Sequence, residues 1–550
     1  MKIFMVVSLF MLLCGAAFAV VDINTLPDEE KALLNSTDPW GLAFADQLAR
    51  FDEYFANAKD AAFVAGITHN LVKVWQNKYW FRGDTVPPGA QQTWKTQWGV
   101  TGGTVSFQVA VLPRIGAKPA NYTVSMEAPA PGRIYREEFL KIGAAPYPRF
   151  QADAWPDPLV PENSVEIDKL NVGVFYVELR IPANYAEKRF TCMVKIASEG
   201  GETAQLTVPV EVVKLDIKPA DLNLVAAFAE TGLTNKQCED MYRMLLEHQM
   251  QPLSPGYLAK LWNPDKPEAF ASFVQEAMNG GQRVFHINAP DQKLYDFLKA
   301  KGWLSSFIIY SNHDEADEET LLKTNIPYAE KMHQQFPGLK IFLAAGLWPS
   351  IGRATDIVMT DLSSSKYDPR AFKLPKTPIL WHYYCHLPIN YQMRAPLVQA
   401  PNMEIDNPAL EHRLALWMSR YYGAQGVYIW SGNSEWNVFA KDFWQTLALS
   451  DASSNYVYPY GGAHHGNGFL VYPPREPDGP VLPSLRLKVL RDGMEDQAIL
   501  DAAEKYKGKL GGLLNPVPAV FSHPQYFDQL PETLLERREA ILRKLRGLGL

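Results

Sequence analysis

Phe307-Ile-Ile-Tyr-Ser-Asn-His-Asp314-Glu315 decides how the chain is read: an apolar run of buried-strand length ends on two adjacent carboxylates. Comparable runs recur on either side of it. Residues 222–228, a short run near Leu253, and 284–287, 341–345, 357–360, 379–384 and 427–430 complete a set of eight, separated by segments of helical period. In residues 408–422, for example, Asn407 can cap, Pro408 suits the first turn, and Leu410, Leu414, Trp417 and Tyr421 form one apolar stripe ahead of Gly423. Eight β/α units in about 280 residues predict an α/β fold, a (β/α)8 barrel over residues 218–510, whose strand C-termini would carry the chemistry. An open doubly wound sheet is the alternative, and the lack of a Gly-rich phosphate loop after the first strand speaks against it.

Ahead of the barrel the periodicity is different. Val105, Phe107, Val109 and Val111 alternate with polar or small neighbours, Val177, Leu179 and Ile181 alternate with Glu178 and Arg180, and Leu206, Val208, Val210 and Val212 repeat the pattern. Period-two alternation between Gly, Pro and Asn turns predicts an antiparallel β-sandwich over 65–217. Residues 20–64 read as a helical segment of undefined role, and 511–550 as a helical extension whose stripe Leu534, Leu535, Ile541, Leu542 and Leu545 packs back on the domain. At the start, Lys2, the apolar run 3–13 and Ala17-Phe18-Ala19 have the form of a secretory signal cut after Ala19. Cys14 invites a lipoprotein reading, but the bulky Leu13 before it does not suit that processing site. The expectation is an exported bacterial protein, periplasmic, cell-surface or secreted. No later stretch reaches the roughly 18 apolar residues of a membrane span.

Loss of Lys2 leaves 52 basic against 60 acidic residues, a net charge of about −8 with no basic block, so nucleic acid is not an expected partner. Cys192, Cys238 and Cys385 remain, too few and too widely spaced for a disulfide framework or a zinc site, and no cofactor is expected. Aromatic residues make up 12% of the chain, including 14 Trp, a richness that suits sugar clefts, although most such rings fill cores.

The residues just past the predicted strands are Glu230, Asn288, Asp314 and Glu315, Trp348, Asp361, His386, and Asn433 with Glu435. Carboxylates, amides and aromatics without a thiolate or histidine cluster suit a carbohydrate cleft, with Asn288 and Trp348 as substrate-binding candidates. An ordinary retaining glycosidase needs two carboxyl groups ~5–5.5 Å apart across the scissile bond, yet the seventh predicted strand, Trp381-His-Tyr-Tyr-Cys-His386, supplies no acid. Adjacent carboxylates suit substrate assistance, in which the sugar's own 2-acetamido oxygen attacks the anomeric carbon. Glu315, with the longer reach, would be the general acid and then the base. Asp314 would orient the acetamide and stabilise the developing charge, and two acids so close push their proton affinities apart. The same pair also opens the acidic run Asp314-Glu-Ala-Asp-Glu-Glu319, which on its own would suit the start of the next helix.

These residues resemble glycoside hydrolase family 123, the exported β-N-acetylgalactosaminidases with a β-sandwich ahead of a barrel. Residues 310–315 look like the family's strand-four Asp-Glu motif, Trp381-His-Tyr383-Tyr-Cys385 with Pro388 like its Trp-x-Tyr-x-Cys segment, and Gly426-Val-Tyr-Ile-Trp430 like its eighth strand. Arg491-Asp-Gly-Met-Glu495-Asp496, within 483–496, is the most specific match. The resemblance covers the barrel well and the sandwich loosely. It implies that Asp314 polarises the acetamide, that Glu315 is the acid/base, that Tyr383 donates to the acetamido oxygen, and that Trp381 and Trp430 wall the sugar pocket. Arg486, Arg491 and Glu495 are read as structural, holding the last helix to the barrel. The family usually places Pro after the Asp-Glu pair, where this chain has Ala316. The expected activity is therefore that of a retaining exo-glycosidase releasing terminal β-linked N-acetylgalactosamine from a glycan or glycolipid substrate. Two other readings stand beside it: a two-carboxylate enzyme using Glu315 with Glu435 on a neutral polysaccharide, and a non-catalytic carbohydrate-binding surface protein. Galacto and gluco preference are not separable at this level.

Overall fold

The computed structural model describes residues 53–550 apart from 57, 59, 77–80, 115–116, 142–153, 168–170, 231–232, 363–377, 386–399, 438–465 other than Trp444, and 477–478. The signal segment 1–19, most of the 20–64 segment, His386 and the Glu435 side chain lie outside the described residues.

Two antiparallel sheets lead the chain. One runs from edge to edge as Asp84–Val86, Phe63–His69, Thr104–Pro113, Gly173–Arg180, Gly132–Lys141 and Ala154–Val160. The other runs Gln91–Thr93, Thr203–Val213, Arg189–Ser198, Ala120–Glu127 and Ser164–Ile167, with Gln97–Val100 also pairing to Thr203–Val213. Sheet structure thus starts at Phe63, inside the segment read as helical. In Arg189–Ser198 and Thr203–Val213 every second residue is buried, as the alternation predicts. Gly173–Arg180 departs from it, because its sheet is covered on both faces. Phe175, Val177 and Leu179 face the other sheet. Tyr176 joins the cluster that continues into the barrel, and Glu178, which the alternation assigns to solvent, is buried.

The barrel strands, numbered here from its first, are β1 (Asn223–Ala227), β2 (Gln251–Leu253), β3 (Phe285–Ile287), β4 (Phe307–Tyr310), β5 (Lys340–Ala344), β6 (Ile357–Thr360), β7 (Ile379–Tyr384) and β8 (Gly426–Ile429). All pair in parallel in the order β2-β1-β8-β7-β6-β5-β4-β3. No ladder joins β2 to β3 in that order, and side chains bridge the gap. Gln251 Oε1 accepts from the backbone N–H of Arg283 and Val284 at 2.7 and 2.9 Å, and Gln282 Nε2 donates to the Pro252 carbonyl at 2.9 Å. Ile308, Phe342, Met359, Trp381 and Tyr428 fill the interior. Gly426 permits the width of Trp381, since a Cβ there would lie 2.6 Å from the indole.

The helix Leu485–Glu504 holds the two halves together and is buried on nearly all sides. Arg413 and Trp417, on the barrel helix Ala409–Tyr421, grip its Asp496 at 2.7 and 2.9 Å. That barrel helix is itself buried all round rather than along one stripe, and its N-cap is Pro408, with Asn407 bonded instead to Glu411. Lys488 and Arg491 bind the buried Glu178, and Thr104 N–H donates to Glu495. Arg491 and Glu495 therefore tie the helix to the sandwich, not to the barrel as the sequence reading has it. Burial alone would raise the Glu178 carboxyl, but Arg491 and Lys488 hold it below the usual carboxylate range. The final helix, Pro531–Gly547, adds Arg538 to Glu495 and Asp496, and Arg546 to the carbonyls of Lys188 and Val212.

Candidate active site

The β4 ladder continues one residue beyond Tyr310, with Ser311 N–H donating to the Phe342 carbonyl at 3.0 Å. The chain then leaves the sheet for Asn312 to Glu315 and rejoins β5 through a parallel bridge between Ala316 and Ala345. Ala316 is buried in an apolar cluster with Leu321 and Ile326, so the position where the family has Pro is anchored by packing and pairing. Both acids are exposed at the C-terminal mouth of the barrel. The following helix begins only after Asp317, whose Oδ1 caps the N–H of Thr320 at 2.8 Å, with Glu318 and Glu319 in its first turn. Asp314 and Glu315 precede that cap, so they are not the charge set of the helix.

The Asp314 carboxylate is oriented by two donors on one oxygen. Tyr310 O–H donates to Oδ1 in a short hydrogen bond, and Glu315 N–H donates to the same atom at 2.8 Å. Tyr310 is itself set by an edge-to-face contact with Phe342, centroids 4.7 Å apart, and its oxygen accepts from Ala344 N–H at 3.3 Å. Oδ2 takes no hydrogen bond from the described residues. Burial, then the charge of Asp314, raises the Tyr310 phenol, which stays a donor. Glu315 occupies the left-handed region at φ 47°, a conformation that costs a side-chain-bearing residue of order 1 kcal/mol. It turns the two carboxyl groups away from a common strand direction. Partial burial first, and Asp314 second, raise the Glu315 carboxyl.

The other residues singled out from sequence fall into three groups. Tyr383 ends the inward face of β7, packs at 5.5 Å from Tyr428, and has its phenol raised by burial, by Cys385 and Tyr428, and by the Asp314 charge. It thus lines the same barrel interior as Tyr310, whose hydroxyl holds Asp314. Trp381 is one inward position lower and 2% exposed; it is part of the barrel core under Tyr383, not a wall of the mouth. Asn288, Trp348 and Trp430 stand past the ends of β3, β5 and β8. Asn288 is exposed, Trp348 leans on the cluster containing Ala316, and Trp430 is open with 39% exposure. Asn433 has a structural task, donating to and accepting from the backbone of Ala229 at 2.8 and 2.9 Å. Glu230 accepts from Ser254 Oγ at 3.2 Å, and Asp361 is half-buried past β6.

Asn325, which sequence reasoning passed over, lies beneath the acidic loop and is fully buried. Its Nδ2 donates to Ser311 Oγ at 2.8 Å and to the His313 carbonyl at 2.9 Å. The available signal was Pro327, whose missing N–H and ring disturb the helix one turn back. Among the described residues no cluster of three or more His, Cys, Asp or Glu could hold a metal ion, and no helix is long and apolar enough to cross a membrane.

The barrel thus carries a carboxylate pair at its C-terminal mouth, one acid oriented by two donors and the other raised, and together with the catalytic-domain match over residues 291–503 this makes the protein a glycoside hydrolase. Residues 291–503 match the model for the glycoside hydrolase 123 catalytic domain. A family 123 glycoside hydrolase from Clostridium perfringens, described by its role in glycolipid glycan hydrolysis, has the same fold: 13% identity, TM-score 0.61, covering 89% of this chain and 98% of that one. A GH2 beta-galacturonidase from Eisenbergiella tayi is also similar, at 13% identity and TM-score 0.30 over 72% of this chain and 69% of that one. No curated protein sequence matches the chain.

Proposed function

We propose that the protein is a retaining exo-glycosidase that releases terminal β-linked N-acetylgalactosamine from glycans or glycolipids by substrate assistance. The observation that carries this reading is the Asp314-Glu315 pair itself, with Oδ1 of Asp314 committed to Tyr310 and Glu315 N–H, and Oδ2 left to meet a substrate N–H. Adjacent carboxyl groups on a single turn do not flank a glycosidic bond from opposite sides, so Asp314 and Glu315 between them suit substrate assistance and not the two-carboxylate scheme.

In the first step the acetamido oxygen attacks C1 while the C1–O bond to the aglycone breaks, and Glu315 gives its proton to the departing oxygen. Asp314 Oδ2 accepts the acetamide N–H and stabilises the positive charge that grows on the oxazolinium ring. In the second, Glu315, now a carboxylate, takes a proton from water as that water adds to C1, the ring opens, and the configuration is retained. Tyr383, kept protonated by its buried position, is a donor for the acetamido oxygen, and the open Trp430 ring offers an apolar face to the sugar. The Clostridium perfringens relative's action on glycolipid glycans favours the same substrate class here. The signal segment 1–19 would bring the enzyme to substrates outside the cytoplasm.

The test is release of nitrophenol from β-GalNAc, β-GlcNAc and β-galactoside substrates. Cleavage of the β-GalNAc glycoside with none of the β-galactoside supports the proposal. Rapid turnover of the β-galactoside overturns substrate assistance, and preference for β-GlcNAc overturns the galacto assignment.

A further inference from the structure

The helix after β4 is not regular. It starts as an α-helical turn at Glu318–Thr320, widens to a π-helical turn over Leu321–Asn325, and resumes as Ile326–Gln335. The cause is local. Pro327 has no N–H for the Lys323 carbonyl, and its ring would press on that same carbonyl in an α-helix, so the backbone opens by one residue. The extra residue changes which side chain faces the barrel mouth, and Asn325 turns inward with its side chain completely buried.

There its Nδ2 meets the acid-bearing loop, while its Oδ1 takes no hydrogen bond among the described residues. The His313 carbonyl can only accept, which fixes the Asn325 amide with Nδ2 toward the loop, and the second Nδ2 hydrogen goes to Ser311 Oγ. Ser311 and His313 flank Asn312 and lead directly into Asp314. The far side of the loop is held by Ala316 on Ala345 and by the Asp317 cap. Asp314 and Glu315 are thus suspended between two anchors, and Asn325 is the anchor on the side of Asp314. His313 adds a third tie within the loop, Nδ1 to the Asp314 carbonyl at 2.9 Å.

We infer that Asn325, placed by the π-helical turn, is the positioning residue of the catalytic pair: it holds the Ser311–His313 backbone so that Asp314 and Glu315 present their carboxyl groups in the working geometry. The inference rests on the proposed roles of those two acids. It does not require Asn325 to touch substrate. Its effect is on geometry, where a displacement of about 1 Å can cost a hundredfold in rate.

The experiment compares Asn325→Ala, Asn325→Asp and Lys323→Ala with wild type. Asn325→Asp keeps the volume and removes both donors; Lys323→Ala changes an exposed residue of the same turn, paired among the described residues with Glu319. Two readouts are taken: hydrogen exchange of the peptide spanning 311–316, and the pH–rate profile on nitrophenyl β-GalNAc. Both Asn325 variants are expected to speed exchange in 311–316 while sandwich peptides keep wild-type protection. They should lower kcat by roughly tenfold to a hundredfold with KM nearly unchanged, and Asn325→Ala, which adds no charge beside the pair, should move the alkaline limb to lower pH as Glu315 gains solvent. Lys323→Ala should match wild type in both. Unchanged exchange and an unchanged profile in Asn325→Ala would overturn the inference, and so would a loss of rate that only follows a loss of melting temperature with the limb in place. If the wild type cleaves no 2-acetamido glycoside, the proposed substrate fails, and exchange in 311–316 still decides whether Asn325 holds the loop.

Discussion

Asp314 and Glu315 differ by one methylene and one peptide unit, yet their surroundings divide the work. Asp314 has one oxygen held by Tyr310 and by the neighbouring N–H, while the Glu315 carboxyl is raised by partial burial and by the Asp314 charge. Glu315 must carry its proton to act as acid, so turnover is expected to fall as pH rises through its raised pKa. Asp314→Asn removes the charge that contributes to that elevation. The alkaline limb should then move to lower pH, in addition to a drop in kcat of roughly a hundredfold or more from loss of the acetamide-orienting carboxylate, as a pH–rate profile of the variant would show. The acid pair was legible in the sequence because an apolar run points straight at it. Asn325 was not, because its inward direction depends on a distortion one turn upstream of Pro327, and a regular helical wheel puts it elsewhere. Trp381 and Glu178 were misplaced for a related reason: alternation along a strand tells which residues share a face, not how deep they lie or what covers that face.

At the scale of elements, the eight barrel strands fall within a residue or two of the positions read from apolar runs, since each is bounded by polar residues or turns. The β2–β3 junction was not readable. There the strands are joined by glutamine side chains, and a Gln beside a strand has no periodic signature. Gln251→Leu keeps the bulk but leaves the N–H groups of Arg283 and Val284 without their acceptor, a change expected to cost about 1–3 kcal/mol per buried donor, measurable by denaturant unfolding. A variant as stable as wild type would show that water replaces the glutamine at this seam.

On the scale of the whole molecule, the sandwich and barrel are joined through charge as well as apolar contact. Arg486, at the start of the Leu485–Glu504 helix, donates to Asp157 of the sandwich at 3.0 Å and to the carbonyls of Met403, Gly466 and Phe469 at 2.8–2.9 Å, tying segments beyond β7 and β8 to the first domain. Asp157→Ala leaves that guanidinium buried without its counter-charge, and thermal or denaturant unfolding should show a loss of roughly 3–5 kcal/mol. Nearby, Glu137 is buried with neither carboxyl oxygen hydrogen-bonded among the described residues, and desolvation, then Asp157, pushes it up to about 8. A raised folded-state pKa means that this group's stabilising contribution is complete below its unfolded value and is lost as pH rises through about 8. Glu137→Gln should therefore raise the melting temperature by a few degrees near pH 9 relative to wild type and change it little near pH 5; equal shifts at both would rule out titration as the cause. The central claim, that the substrate's own acetamide is the nucleophile, is tested most directly by kcat on β-GalNAc glycosides whose acetamide carries zero, one, two or three fluorines. Each fluorine weakens the attacking oxygen, so the account predicts a steep, monotonic fall in rate across the series, and a flat series would contradict it.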